Sequence, residues 1–142
     1  MKKTVALLAA LLLSGCIPRY ATVRPALDVQ VKNNQNEPVA DATMWLLTQR
    51  MPPGYYPPAE KFRSDAQGRI RVERKSQWET LIFFLHGVNF YSWRWCIEAP
   101  GYHFVEGEND RFSEAVILQR AATPSRCPDA LRQSGEVTSG QR

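Results

Sequence analysis

Apolar residues recur at every second position in several short stretches of this chain, and turn-forming clusters separate them. Leu27, Val29 and Val31 alternate with Asp28, Gln30 and Lys32, the period of a strand with one buried face. Asn33-Asn34-Gln35-Asn36-Glu37-Pro38 follows as a turn cluster. Ala42 to Thr48 is apolar on both faces, through Met44 and Leu46 on one and Trp45 and Leu47 on the other, which predicts a central strand. Phe62 to Asp65 predicts a short strand, and Asp65-Ala66-Gln67-Gly68 a tight turn. Ile70 and Val72 alternate with charged residues, Lys75 to Glu79 reads as a polar break, and Leu81 to Leu85 is continuously apolar before a turn at Gly87 to Asn89.

The most informative strand is Ser92 to Ala99. Trp93, Trp95 and Ile97 share one face; Arg94, Cys96 and Glu98 share the other. The tryptophan face is expected in the core, with Cys96 pointing outward. Pro100-Gly101 and Gly107 to Asp110 read as turns around a short strand at Tyr102 to Glu106, and Ala115 to Leu118 as the last strand. Pro128 to Gln133 predicts one helical turn, and the polar stretch Ser134 to Arg142 predicts disorder. Met51 to Pro58 holds four prolines with Gly54, Tyr55 and Tyr56; proline cannot donate to a sheet ladder, so this is a loop or edge segment. About seven short strands without an amphipathic helix predict an all-β chain, a single small antiparallel β-sandwich. It spans residues 26–120, and 121–142 form a C-terminal tail.

The first residues follow a different pattern. Lys2 and Lys3 precede a run from Thr4 to Leu13 that is apolar apart from Thr4. This is the layout of a secretory signal peptide, too short to cross ~30 Å of hydrocarbon as a helix. Leu13-Ser14-Gly15-Cys16 resembles the lipobox of bacterial lipoproteins: an aliphatic residue, two small ones, then cysteine. The resemblance implies cleavage between Gly15 and Cys16, a diacylglyceryl group on the Cys16 thiol, and usually an acyl chain such as palmitate on the new amine. At ~0.8 kcal/mol per buried CH₂, several chains hold a protein almost permanently. Ile17, where an Asp would retain a lipoprotein in the inner membrane, implies the outer membrane of a Gram-negative envelope. The domain would then face the periplasm, on a tether spanning residues 16–25 that carries Pro18, Arg19, Arg24 and Pro25.

Cleavage would alter both charge and cysteine count. The 142 residues carry 18 Lys and Arg against 14 Asp and Glu. Loss of residues 1–15 leaves 127 residues with 16 basic against 14 acidic, so the net charge falls from +4 to +2. That small excess and the expected export argue against a nucleic-acid partner. Lipidation of Cys16 leaves Cys96 and Cys127, for which a disulfide is the default in an oxidising compartment. Free thiols or a metal site are the alternatives, and two cysteines without clustered histidines disfavour metal. A Cys96–Cys127 bond would strap the C-terminal segment across the outside of the sheet.

Three segments carry a second resemblance. Asn36-Glu37-Pro38-Val39-Ala40-Asp41-Ala42, Ser64-Asp65-Ala66-Gln67-Gly68-Arg69-Ile70 and Ala99-Pro100-Gly101-Tyr102 are similar in order and spacing to motifs of carboxypeptidase-regulatory-like domains, which have a transthyretin-like sandwich. The match covers residues 26–119. Asn36 and Asp41 stand where that family prefers glycine, and both types tolerate left-handed backbone better than most. The resemblance implies a structural or binding module rather than an activity. Transthyretin-like hydroxyisourate hydrolases end in Tyr-Arg-Gly-Ser, whereas this chain reads Ser139-Gly140-Gln141-Arg142.

Catalytic signals are sparse. His86 and His103 stand beside turns without zinc-ligand spacing, and no Gly-x-Ser-x-Gly elbow occurs. Glu106, Glu108 and Asp110 lack the ligand spacing of an EF-hand and read as a solvated acidic turn. Neither a cofactor nor a metal is expected. Phe83, Phe84, Phe90, Tyr91, Trp93 and Trp95 cluster within residues 83–95, and most are expected in the core. Tyr55, Tyr56, Phe90 and Tyr91 are the expected contact surface, because rigid aromatics on loops suit a protein or glycan partner. The expected function is a non-enzymatic binding or scaffolding module in the envelope, with a membrane anchor and an envelope protein partner. An inhibitor or immunity lipoprotein against a toxin or hydrolase is one alternative, and a small envelope enzyme is another.

Overall fold

The computed structural model describes residues 16–51, 57–82, 89–108, 114–123 and 125–132. Nine strands and one short helix occur among them. The strands are β1 (Cys16–Arg24), β2 (Leu27–Asn33), β3 (Thr43–Met51), β4 (Glu60–Arg63), β5 (Arg69–Val72), β6 (Lys75–Ile82), β7 (Phe90–Glu98), β8 (Val105–Glu108) and β9 (Ala115–Leu118); the helix is α1 (Asp129–Arg132). They form a four-stranded sheet in the order β4-β3-β7-β8, a three-stranded sheet β5-β2-β9 and a two-stranded ribbon β1-β6.

The alternating stretches become strands because each has one face to bury. Val29 and Val31 of β2, Ile70 and Val72 of β5, and Val116 and Leu118 of β9 turn into the same core as Met44 and Leu46 of β3 and Trp95 and Ile97 of β7. Full burial of each such side chain contributes roughly 1.5–3 kcal/mol. β3, apolar on both faces, is internal, with β4 on one side and β7 on the other. The expectation of purely antiparallel pairing is corrected at one place. β9 pairs with β2 in parallel, from Gln30↔Ala115 to Asn33↔Leu118. The chain reaches β9 from β8 in the other sheet, so no tight hairpin constrains its direction.

The turns at Asn33 to Pro38, Asp65 to Gly68 and Pro100-Gly101 lie where their residues predicted them, and their backbone explains the residues chosen. Among the described residues, left-handed φ occurs at Asn36 (64°), Asp41 (56°), Gly68 (72°) and Gly101 (81°). All four fall in the three segments that resemble the carboxypeptidase-regulatory-like motifs. Gly68 is also steric: a Cβ there would lie 2.5 Å from the Val31 carbonyl oxygen. Ser64 ties the first two segments together. Its buried hydroxyl donates to the Val39 carbonyl at 2.8 Å and accepts from the Ala42 N–H at 2.9 Å.

Two further expectations are revised. Lys75 to Glu79, expected as a polar break, lies in β6, and residues 16–24, expected as part of a tether, form its partner β1. Gly107 and Glu108, expected in a turn, belong to β8, which pairs with β7 from Arg94↔Glu108 to Ile97↔Val105. Residues 83–85 of the expected apolar run and 134–142 of the expected disordered tail lie outside the described residues.

The ribbon is held against the start of β7. The Arg19 guanidinium donates to the Asn89 carbonyl at 3.2 Å, and Trp93 Nε1 donates to the Val23 carbonyl at 2.8 Å. The Tyr91 hydroxyl donates to Glu79, and Ala21 is buried. The two strands are antiparallel, with Tyr20 opposite Trp78 and Arg19 opposite Glu79.

Candidate functional site

β7 runs the length of the four-stranded sheet and gives the domain two distinct ends. From Phe90 to Glu98 it covers eight steps of ~3.3 Å, about 26 Å. Its start meets the ribbon, and its finish meets the C-terminal segment.

At the finish, the disulfide organises the site. Cys96 and Cys127 are bonded, with Cα atoms 5.9 Å apart. Cys96 lies on the face of the sheet opposite Trp93 and Trp95, as expected, but it is buried rather than exposed. Cys127 and Leu131 cover it, together with Leu47 and flanking Trp45 and Phe104, in a second apolar cluster. An outward-facing half-cystine thus acquires its own small core, and α1 exists because Leu131 packs into it. Glu98 completes the attachment: Oε2 accepts the Cys127 backbone N–H at 2.7 Å and Oε1 accepts Trp45 Nε1 at 3.2 Å. Ser125 adds a third tie, because its hydroxyl accepts the Phe104 N–H at 3.1 Å and lies 3.2 Å from His103 Nδ1. Ser125 thus clips the strap to the segment that precedes β8.

Between this strap and the Pro100-Gly101 turn lies an open cleft of about 530 Å³, with Asp41, Arg63, Glu98, Arg126 and Arg132 on its walls. That volume is within the ~300–1,000 Å³ of ordinary ligand sites. The three arginines come from β4, the strap and α1. Among the described residues Arg63 and Arg126 have no ion-pair partner, whereas Arg132 reaches Asp129 at 3.5 Å. Arg132 Nε is buried with no hydrogen-bond partner. Glu98 is committed to Trp45 and Cys127, so the cleft is left with one further carboxylate, Asp41, against three guanidinium groups. A planar fork of N–H donors suits carboxylate or phosphate oxygens. Sequence reading missed this cleft, since the arginines are far apart and follow no motif. The cysteine pairing was the one available signal that residue 126 lies near residue 97.

At the other end, large apolar side chains are exposed. Trp78 is 72 % accessible, Phe90 67 % and Tyr20 62 %. Tyr20 and Trp78 face each other across the ribbon with ring centroids 5.2 Å apart. Met51, also exposed, pairs with Phe90 across β3 and β7. The expected aromatic surface therefore divides. Phe90 is exposed, but Tyr91 is half-buried beneath the ribbon and bonded to Glu79. Tyr55 and Tyr56 lie outside the described residues, as do Gly15 and His86. Cys16 begins β1, opposite Ile82. Within the described residues no group of three or more His, Cys, Asp or Glu could hold a metal ion.

No family model matches the chain, and neither the curated proteins nor the solved structures compared with it give a match.

Proposed function

We propose that this chain is an envelope lipoprotein, held in the outer membrane through acylated Cys16, whose periplasm-facing domain is a non-enzymatic binding module. The lipobox-like Leu13-Ser14-Gly15-Cys16 supports the anchor, and the Cys96–Cys127 disulfide supports an oxidising compartment. A transthyretin-like β-sandwich of the carboxypeptidase-regulatory-like kind is supported by the core shared between two sheets and by the left-handed residues at Asn36, Asp41, Gly68 and Gly101.

One observation carries the binding reading. Arg63, Arg126 and Arg132 converge on a cleft at the end of β7 away from the strand that Cys16 begins. A tether at Cys16 thus leaves this cleft open to the periplasm. Its partner is an acidic segment of another envelope protein, presenting carboxylates to the guanidinium groups.

The test has two arms. Labelled palmitate should enter the wild-type protein and not the Cys16→Ala variant; equal labelling, or none in either, rejects the anchor. A photo-crosslinking residue at Pro100 in intact cells should capture one dominant protein, and the paired change Arg63→Glu with Arg126→Glu should abolish that adduct while leaving the melting temperature unchanged. An adduct that survives both reversals rejects the cleft as the partner site.

A further inference from the structure

The β1–β6 ribbon departs from the pattern of an ordinary surface sheet, although Ala21 is buried on its inner face beside Arg19. A sheet with one solvated face normally turns its charges to water and its apolar residues inward. Here Arg19 and Glu79, opposite each other in register, lie on the face that meets the domain: Arg19 donates to Asn89, and Glu79 accepts from Tyr91. The outward face is Pro18, Tyr20 and Thr22 paired with Thr80, Trp78 and Ser76. It carries no charge, and its centre is an exposed tyrosine–tryptophan pair.

This face continues into the exposed apolar end of the domain. Large apolar side chains are exposed at Ile17, Tyr20, Met51, Trp78, Phe90 and Ile117. All but Ile117 lie on the ribbon or at the end of β3 and β7 next to it, Ile17 with the parity of Arg19 and not on the outward face. The Arg19–Asn89 hydrogen bond places the start of β1 beside the start of β7. Among the described residues, exposed apolar area is therefore gathered at the end where the strand from Cys16 begins, and the arginine cleft is at the other.

We propose that the outward face of the β1–β6 ribbon, centred on Tyr20 and Trp78, lies flat on the lipid headgroups of the membrane that holds Cys16. The inference rests on the lipoprotein reading, because acyl chains at Cys16 put a bilayer within a few residues of this face. Tyr20 is four steps of ~3.3 Å from Cys16, about 13 Å along the strand. The headgroup zone of one leaflet is only about 5–8 Å deep. A ribbon standing upright would carry Tyr20 and Trp78 beyond that zone, whereas a ribbon lying flat keeps both rings within it. Tyrosine and tryptophan prefer that boundary, since each has an apolar body and a polar edge. The hydroxyls of Thr22, Ser76 and Thr80 suit the same layer, and the absence of charge on the face removes the cost of bringing ions toward hydrocarbon. Both strands of the ribbon thus act as a second, non-covalent foot, which orients the arginine cleft away from the membrane.

The test uses the full-length lipidated protein in vesicles of phosphatidylethanolamine and phosphatidylglycerol, with and without brominated acyl chains. Brominated lipid should quench tryptophan fluorescence, and Trp78→Phe should remove most of that quenching, because Trp95 is buried, Trp93 is half-buried and bonded to Val23, and Trp45 is half-buried beside Glu98 at the other end of the domain. Iodide added to the aqueous phase should quench Trp78 only after detergent releases the protein. Lipid on Cys16 together with an iodide-accessible, bromide-insensitive Trp78 overturns the inference and leaves the anchor intact. A Trp78 shielded from both quenchers also overturns it, since the face is then covered by protein. Absence of lipid on Cys16 overturns the anchor and this inference together.

Discussion

The backbone N–H of Cys127 donates to Oε2 of Glu98 at 2.7 Å, two positions along β7 from the cysteine to which Cys127 is bonded. Covalent and electrostatic ties therefore meet within one stretch of strand. The disulfide spans 31 residues of sequence, for which the chain-entropy account gives about 3–4 kcal/mol of stabilisation. A carboxylate accepting a backbone N–H contributes about 1.5–3 kcal/mol. The paired change Cys96→Ala with Cys127→Ala is expected to lower stability by about the disulfide amount, read from the urea midpoint of the domain. Glu98→Ala should cost about half as much and free the strap without breaking the covalent bond. Thiol labelling of the native protein should find neither Cys96 nor Cys127 before reduction; two reactive thiols would contradict the bond.

Ser64 joins two turns that are far apart in sequence. Its buried hydroxyl bonds Val39 and Ala42 at once, and the Ser64 N–H donates to the Ala42 carbonyl at 2.9 Å. Ser64→Ala leaves a buried carbonyl and a buried N–H without partners and should destabilise by about 1–3 kcal/mol. Ser64→Thr keeps the hydroxyl and should recover much of that loss if the added methyl fits. Equal loss in the two variants would indicate that packing, not hydrogen bonding, governs the site. Chemical denaturation measures both.

The left-handed positions offer a sharper contrast. Asp41 has φ 56° and is exposed, whereas Gly68 has φ 72° and sits against the Val31 carbonyl and the Val39 N–H. Asp41→Gly should stay within about 1 kcal/mol of wild type, because relief of the backbone offsets the freer unfolded chain. Asp41→Val should cost about 1–3 kcal/mol, since a β-branched residue is badly strained there. Gly68→Ala combines strain with a clash against backbone, which cannot swing aside, and should exceed the Asp41→Val loss. Thermal unfolding of the three variants should rank them in that order.

Local pattern made much of this fold legible. β2, β3, β5, β7 and β9 each alternate or run apolar over a short span, because their side chains face a core on at least one side. The turn at Asp65 to Gly68 was readable from its residue types, and so was the tolerance of Asn36 and Asp41 for left-handed backbone. The expectation that Cys16 is set aside for lipid left Cys96 and Cys127 as the pair, and these two are bonded. These are properties of neighbouring residues, and chain-local chemistry determines them.

The ribbon and the cleft were not legible, for separate physical reasons. β1 and β6 carry charge on their inner face and aromatics on their outer one, so an alternation rule that assigns apolar residues to the inside reads them as irregular. Only the docking of Arg19 on Asn89, Tyr91 on Glu79 and Trp93 on Val23 makes them strands of this domain. The parallel pairing of β9 with β2 depends on where the chain crosses between sheets, which no local window contains. The cleft needs Arg63, Arg126 and Arg132 from three elements that a disulfide and a long sheet bring together. The sequence by itself determined which residues extend, turn and pair as cysteines; the tertiary structure decided which faces they cover and which ends they leave open, because those depend on contacts between residues far apart in the chain.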